Sequence, residues 1–520
     1  FEAVLPPMSF HRTPDQPGRS GAPMLNRQLY QQLRALLIGR HLTPGSKLPS
    51  SRALARDCGL SRNTVTLALE QLISEGYLQT RIGAGTFVAD DMPDEAFTAS
   101  QPSNTICETR LPTASARSGF DALSSRGQRL AQVRRPAAAQ GAHSRKSSTQ
   151  KPGSHGILRP SQPDIDGFPF DVWGRLVARS WRRPTSRNLL IHENASGFLP
   201  LRQAIADYLT TARAVRCVAE QVMIVSGVQQ AMMLVANLLL EEGELAVIEE
   251  PGFPGLRGAL MGAGARIGAQ GTDREGLDPS CLPDQARLVC VAPSNHYPLG
   301  GTMSAARRLA LLQWARERQV WIFEDDYDSE YRYIGRPLSS MQGMDSDGRV
   351  LYFGSFSKVM FATLRLGYLV VPDGLVDAFA RARMMLDSYS SIVVQPALAS
   401  FITEGYFPAH LRRTRRLYRE RLAVMQAAVK AMIDPARARF SDPQAGMHAC
   451  LRFDQADDPP DKDDRTIATV LHEQNVMAMP LSIFYSRIPQ TQGLAMGFAG
   501  TRPEEIEAGI RSIAEIINNA

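Results

Sequence analysis

Gly354-Ser355-Phe356-Ser357-Lys358 sets a lysine beside two serines, and Arg365 follows seven residues later. A lysine amine is a poor nucleophile while protonated and fully solvated. One flanked by hydroxyls, with an arginine nearby, suggests a partner that carries both an aldehyde and a phosphate, which is the chemistry of pyridoxal 5'-phosphate (PLP). Such a pocket needs further separable parts: an acid for the pyridine nitrogen, a donor for the phenolic oxygen, a ring to stack on, and a phosphate cup.

Candidates for each part occur in order along the chain. Ser226-Gly227-Val228-Gln229-Gln230 follows a strand and opens a helix, so the free amides of Gly227, Val228 and Gln229 and the helix dipole favour a phosphate. Ser355, Ser357 and Arg365 would complete that cup, the arginine supplying a forked charge. Phe253, in Glu249-Glu250-Pro251-Gly252-Phe253, is placed to lie flat on the pyridine ring, although a lone Phe is as often simply core. Asp325 closes the run Val320-Trp321-Ile322-Phe323-Glu324 at a strand end, where α/β sites cluster. There it would keep a pyridinium protonated, and hence an electron sink. Tyr327 is the expected donor to the ring oxygen, while Asp326, Asp328 and Glu330 read as a solvated acidic turn. No metal-ligand spacing occurs, and no residue is assigned a catalytic role.

These residues need a scaffold that brings strand ends together. From about Ile157 to Ala520, buried strand candidates (222–225, 245–248, 288–291, 320–324, 350–353 and 367–371) alternate with helical stretches such as 229–240 and 305–318. That alternation predicts a large α/β domain with a mostly parallel sheet and helices on both faces. From about Leu411 a basic helix begins a smaller α+β C-terminal subdomain, which closes with 504–517.

The N-terminal segment reads differently. Across residues 24–90, Leu29, Leu33, Leu36 and Leu37 recur at helical spacing until Pro44-Gly45 breaks the pattern. A short helix over 51–58 ends at Gly59, and Ser61 caps a third helix with Val65, Leu69, Leu72 and Ile73 on its inner face. Two strands around Gly83-Ala84-Gly85 make a wing. This is a winged helix-turn-helix, with Ser61, Arg62, Asn63 and Thr64 at the start of the helix that would enter the major groove of double-stranded DNA. Arg62 suits a guanine edge, Arg52 a backbone phosphate, and Gly83 a close approach to the minor groove. The segment carries eight Lys/Arg against four Asp/Glu, so it alone supplies +4 of the chain's +6.

Between them, residues 91–156 turn to Ser, Ala, Gln, Pro and Arg with little periodicity, and read as a flexible basic linker. A coil of 66 residues would span roughly 40 to 50 Å. At 520 residues the chain needs two or more cores. Its six cysteines form no C-x-x-C pair, and its longest apolar run, Met232 to Leu240, is too short to span a bilayer. The expectation is a soluble, cytoplasmic protein with no membrane partner.

Pro44-Gly-Ser-Lys-Leu-Pro-Ser-Ser-Arg52, Leu60-Ser-Arg-Asn-Thr-Val65 and the run Glu75 to Val88 resemble the GntR family of bacterial transcriptional regulators. The second half resembles fold-type I aminotransferases over roughly 360 residues, through G-S-F-S-K and R-L-G-Y-L. The whole chain is similar to the MocR/GabR subfamily of GntR regulators, in which a winged helix is fused to an aminotransferase-like domain. The resemblance implies PLP in a Schiff base with Lys358, a head-to-tail homodimer with pockets near the subunit interface, and paired DNA half-sites. It further implies an effector, whether an amine, an amino acid, a sulfonate or PLP itself. An effector acts only by binding one arrangement better than another.

The chain departs from that pattern at two places. Asn295-His296-Tyr297-Pro298 stands where the subfamily reads His-Gln before an aromatic-Pro, and no arginine falls in Gln492 to Met496, where aminotransferases carry the one that holds a substrate carboxylate. Arg487 lies close by in sequence but reads as a surface residue. Without that clamp the large domain is expected to sense rather than turn over, with at most half-transamination or exchange at the lysine. Two alternatives remain: an active aminotransferase with a DNA-binding appendage, and a plain DNA-binding regulator whose large domain only dimerises.

Overall fold

The computed structural model describes residues 25–39, 41–81, 84–90, 124–132, 156–182, 195–335, 339–453 and 460–518. Contacts divide the chain into two compact units, Phe1–Ala116 and Arg117–Ala520. No helix among the described residues is long and apolar enough to cross a membrane.

In the first unit α1 (Leu25–Ile38), α2 (Ser51–Cys58) and α3 (Arg62–Ser74) bury Leu29, Leu33, Leu37, Leu54, Val65, Leu69 and Leu72. Ser50 caps α2 by accepting from Ala53 N at 3.2 Å, and Ser61 caps α3 by accepting from Thr64 N at 3.1 Å. Each such cap contributes about 1 kcal/mol. Gly59 ends α2 in the left-handed region at φ 63°, where a side chain would be strained. β1 (Leu78–Arg81) and β2 (Gly85–Val88) pair antiparallel, with Leu78 opposite Val88 and Arg81 opposite Gly85. Leu48 N donates to Thr86 O and Val88 N to Ser46 O, both at 2.9 Å, which ties this wing to the turn before α2. The Arg81 guanidinium lies 4.7 Å above the Phe87 ring.

The second unit contains a helix where the sequence predicts a featureless tether. α4 (Ser125–Gln132) packs against the helix Pro254–Gly262: Arg126 Nη2 meets Glu242 Oε1 at 2.7 Å, and Leu130 lies beside Gly262. One leucine in a run of Arg, Gln and Ser is too little periodicity to reveal a helix whose partner is a distant surface.

Its large sheet runs β3 (Val222–Val225), β10 (Gly367–Val370), β9 (Val350–Ser355), β8 (Trp321–Asp326), β7 (Ala286–Val291), β4 (Leu245–Glu250), β5 (Arg266–Asp273), β6 (Gly276–Leu277). From β9 to β5 neighbours are parallel, whereas β10 runs against both β9 and β3, and β6 against β5. The sheet is therefore mixed at its ends. β3 and β10 are buried at every position, so their apolar runs stand out in the sequence. β5 is half-exposed and rich in Gly, Gln and Thr, and neither a continuous run nor an alternation marks it. α5 (Phe170–Arg182), α6 (Leu199–Arg213), α7 (Val228–Leu239), α8 (Pro254–Gly262) and α9 (Ala305–Arg318) belong to this part of the unit. Separate apolar clusters fill the two sides of the central strands, one with Met232, Val235, Leu260 and Phe353, the other with Leu311, Trp314, Val289 and Ile322.

The long helix α10 (Tyr406–Met432) leads into the smaller subdomain, an antiparallel sheet in the order β11 (Arg439–Phe440), β12 (His448–Arg452), β14 (Gly493–Gly497), β13 (Met479–Pro480) with α11 (Pro503–Ile517) packed against α10. The stretch 157–161 joins its edge: Gly497 N donates to Leu158 O at 2.8 Å, and Leu158 N to Thr501 Oγ1 at 3.1 Å.

Candidate functional sites

The parallel strands of the large sheet end on one side, and the loops that leave them surround a cavity of about 810 Å³. All ten cofactor candidates line it. Gly227, Val228 and Gln229 come from the turn between β3 and α7, Phe253 from the loop after β4, Asp325 and Tyr327 from the end of β8, and Ser355, Ser357, Lys358 and Arg365 from the segment after β9. Residues 130 positions apart become neighbours because each sits where a strand gives way to a loop.

Lys358 projects from the turn after β9, where Ser357 N donates to Ser355 Oγ at 3.1 Å, and its Nζ donates to Ser161 O at 3.3 Å. Burial pushes its ammonium down from the usual lysine range, with the Asp328 and Asp325 carboxylates pulling it back up. Asp325 faces the same cavity. Burial, then the charge of Asp326, pushes its carboxyl up to about 7, and Lys358 acts the other way. Its Oδ1 has no hydrogen-bond partner among the described residues. Glu249, at the end of β4, accepts from Ala292 N at 2.8 Å, and burial pushes it up to about 8.

At the other end Gly227 takes φ 128°, a conformation that side chains rarely adopt, and precedes the first turn of α7 without a side-chain cap. Arg365, itself left-handed at φ 52°, brings Nη1 to 3.7 Å from where a Gly227 Cβ would project. A glycine cradle, unclaimed helix amides and a forked cation together form an anion seat. Phe253 is 38% exposed and meets Tyr297 edge to face at 6.2 Å, and Gly255 has no Cβ to collide with its ring.

Tyr327 keeps its proton, because burial and then the Asp328 charge raise its phenol well above the usual range. Asn295, one of the two departures noted above, donates from Nδ2 to Tyr327 Oη at 3.2 Å and to both Asp328 oxygens at 3.0 and 2.9 Å. The acidic turn is thus not solvated, contrary to the reading from sequence. Asp326 accepts from Arg213 Nε at 2.8 Å and Tyr352 Oη at 2.5 Å, Asp328 is 1% exposed, and Glu330 accepts from Tyr208 Oη at 3.1 Å. Nothing local distinguishes these acids from a surface run, since Arg213 and Tyr352 lie far away in sequence.

Sequence reasoning missed lining residues that come from outside the strand-end loops of the large sheet. Leu130 comes from α4, Arg159 and Ser161 from the stretch beside β14, and Met479 from β13. A stretch that enters a site from a different layer carries no local signal. Arg487 is exposed and outside the cavity wall; its backbone N, with the Ser486 N and Oγ, binds Glu250.

On the first unit, Arg52, Arg62 and Asn63 are exposed. Ser61 Oγ is engaged by Thr64 N and, at 2.7 Å, by Thr64 Oγ1, so these two side chains hold the helix start that presents Arg62 and Asn63. Gly83 lies outside the described residues.

A winged helix joined to an aminotransferase-like α/β domain defines a class of bacterial transcriptional regulator, and the comparisons agree with both halves. Residues 25–88 match the family described as bacterial regulatory proteins, gntR family. The chain is 38% identical over 491 residues to the probable rhizopine catabolism regulatory protein MocR of Rhizobium meliloti, covering 94% of this chain and 93% of that protein. It is 30% identical to the HTH-type transcriptional regulator TauR of Rhodobacter capsulatus, covering 96% and 98%. Among solved structures, an archaeal alanine:glyoxylate aminotransferase superposes with a TM-score of 0.67 at 23% identity, covering 76% of this chain and 98% of that one. The chain belongs to the MocR-type subfamily of GntR regulators. It is a DNA-binding transcriptional regulator whose large domain has the fold of PLP-dependent aminotransferases.

Proposed function

We propose that the large domain holds PLP on Lys358 and senses a small amine, and that occupancy of its cavity sets how the winged helices of a head-to-tail homodimer meet paired half-sites on DNA. The observation that carries this reading is the convergence of Lys358, Asp325 and the Gly227–Arg365 anion seat on one cavity. Bound there, PLP supplies an aldehyde open to exchange between amines.

This chain's own residues do the rest. A buried amine with a depressed pKa has a larger neutral, nucleophilic fraction, which suits Lys358 to aldehyde capture. Asp325 offers an unpaired carboxylate oxygen to a ring nitrogen. Tyr327 retains a proton to donate to a ring oxygen, and Asn295 fixes the phenol in place. Arg365 and the amides that open α7 take the phosphate. Phe253 covers one ring face and limits water.

The sensing step requires a link to the chain that leads to the DNA reader. α4 supplies one: it lies on that connecting chain, is clamped by Arg126 to Glu242, and places Leu130 in the cavity wall. We assign residues 24–90 to DNA binding and 157–520 to sensing, with α4 as the part of the connection that feels the cavity.

The test uses the full chain. It should turn yellow with PLP, borohydride should fix one adduct on Lys358, and Lys358→Ala should carry none. Anisotropy on the chain's own upstream DNA, with and without PLP and amines, should then show a ligand-dependent change in affinity. A colourless protein without an adduct at Lys358 would refute the cofactor reading. Steady turnover of an amino donor with a keto acid would favour the enzyme alternative instead.

A further inference from the structure

We infer that Leu67 reads the C5-methyl groups of thymine in the major groove, so that operator choice rests on an apolar contact as well as on hydrogen bonds. The inference rests on α3 as the helix that enters DNA and goes further by naming the base, and the group on it, that one of its side chains recognises.

Burial divides α3 into two sides. Val65, Ala68, Leu69 and Leu72 are buried and form the stripe that packs into the first unit. Asn63, Leu67 and Glu70 are exposed, and at 3.6 residues per turn they fall on the opposite side. Leu67 is 47% exposed, the one exposed large apolar side chain among the described residues of that unit. A lone leucine on a surface is ordinary. This one occupies the middle of the side that α3 turns away from its own core, one turn beyond Asn63. It also lies about 7.5 Å along the helix from Arg62, within the first turns, which are the ones that meet base edges.

Leucine has neither donor nor acceptor, so pressing it on a phosphate or on a polar base edge strips water from that group and replaces it with nothing. The base pairs carry one apolar group on their major-groove edge, the C5-methyl of thymine. Contact between that methyl and Leu67 takes apolar surface of both partners out of water. Thr66, the residue before it, donates its hydroxyl to Arg62 O at 2.9 Å, so that hydrogen is engaged inside the helix rather than offered to a base. Glu70 follows on the exposed side, and its charge opposes the phosphates, which confines close contact to the turns before it.

The chain's own upstream DNA is synthesised twice, once with thymine and once with uracil at every thymine position, so that the two duplexes differ only in the C5-methyls. Binding of the full chain to each is read by anisotropy at one salt concentration. The wild type should bind the thymine duplex about fourfold or more tightly, the scale of burying one methyl group. Leu67→Ala should bring the two duplexes within about 1.5-fold, with a melting temperature within about 1 °C of the wild type because the position is exposed. Leu67→Met keeps an apolar side chain of similar size and should keep the preference. Equal binding of both duplexes by the wild type overturns the assignment. So does an undiminished preference in Leu67→Ala, which would trace the difference to the shape of the duplex instead. Arg62→Ala, measured on the thymine duplex and a scrambled one, reports separately on α3: selectivity lost there keeps α3 as the reading helix even where the thymine assignment fails, and selectivity unchanged in both Arg62→Ala and Leu67→Ala overturns the two together.

Discussion

Replacing Asp325 with Asn should move two properties in opposite directions. Burial and the neighbouring Asp326 charge hold the carboxyl at about 7, against about 3.9 in an unfolded chain. A rise of about three units corresponds to an upper bound of about 4 kcal/mol. The sign follows from proton binding: a raised acid binds its proton more tightly when folded, so its contribution is fully present below pH ~4 and is lost as pH climbs through ~7. Asparagine keeps the shape and removes the charge. Cofactor-free Asp325→Asn should therefore melt several degrees above the wild type at pH ~8, taking about 2–4 °C per kcal/mol, and the gap should close toward pH ~4. PLP affinity should fall about 100-fold or more, because an amide replaces the carboxylate that in the proposed function would face the ring nitrogen. Thermal melts across that pH range, paired with absorbance titration of PLP, measure both. A variant that melts below the wild type at every pH, or takes up PLP unchanged, refutes the role given to Asp325.

Arg62→Ala should lose about 1–3 kcal/mol of operator discrimination with PLP loading intact, read by anisotropy on operator and scrambled duplexes; unchanged selectivity counts against α3 as the reading helix. Gly227→Ala forces a side chain into φ 128° and should weaken PLP binding about tenfold or more, since the first amides of α7 must shift; tight binding by that variant argues against the phosphate seat. Leu130 is 42% exposed, so Leu130→Ala should leave the melting temperature within about 1 °C. The same variant should abolish the effect of PLP and amines on operator affinity, and a retained effect removes α4 from the coupling.

The sequence exposed those parts of the fold whose cause is local. α2 ends at Gly59 because only a left-handed residue fits there, and α3 starts at Ser61 because a hydroxyl caps Thr64 N. β3 and β10 were visible because strands buried on both faces need unbroken apolar runs. The ten cofactor candidates were legible for a related reason: each lies at a junction between a strand and a loop, where Gly, Ser, Asp or Lys interrupts an apolar run. What remained hidden depends on partners distant in sequence. α4 holds its place through Glu242 and Gly262, Arg159 enters the wall along β14, and β5 is an inner neighbour of β4 whose sequence looks like a loop.

The adjacent acids Asp325 and Asp326 show how one strand end serves two purposes. Successive side chains of a strand point to opposite faces, so Asp325 meets the cavity and Asp326 the layer behind the sheet. There Arg213 and the Tyr352 hydroxyl bind Asp326, and Arg213 reaches on to Ser294 at 2.7 Å, beside Asn295. That pair is buried on both sides, its side chains 5% and 1% exposed. Burial, and then the negative charge one residue away, raise Asp325 to about 7 against the pull of Lys358, so it is ionised at neutral pH only in part. The hidden ion pair thus stands behind the carboxylate that lines the cavity. Under the proposed function, such an arrangement would give the cavity floor a different electrostatic state with and without a ligand.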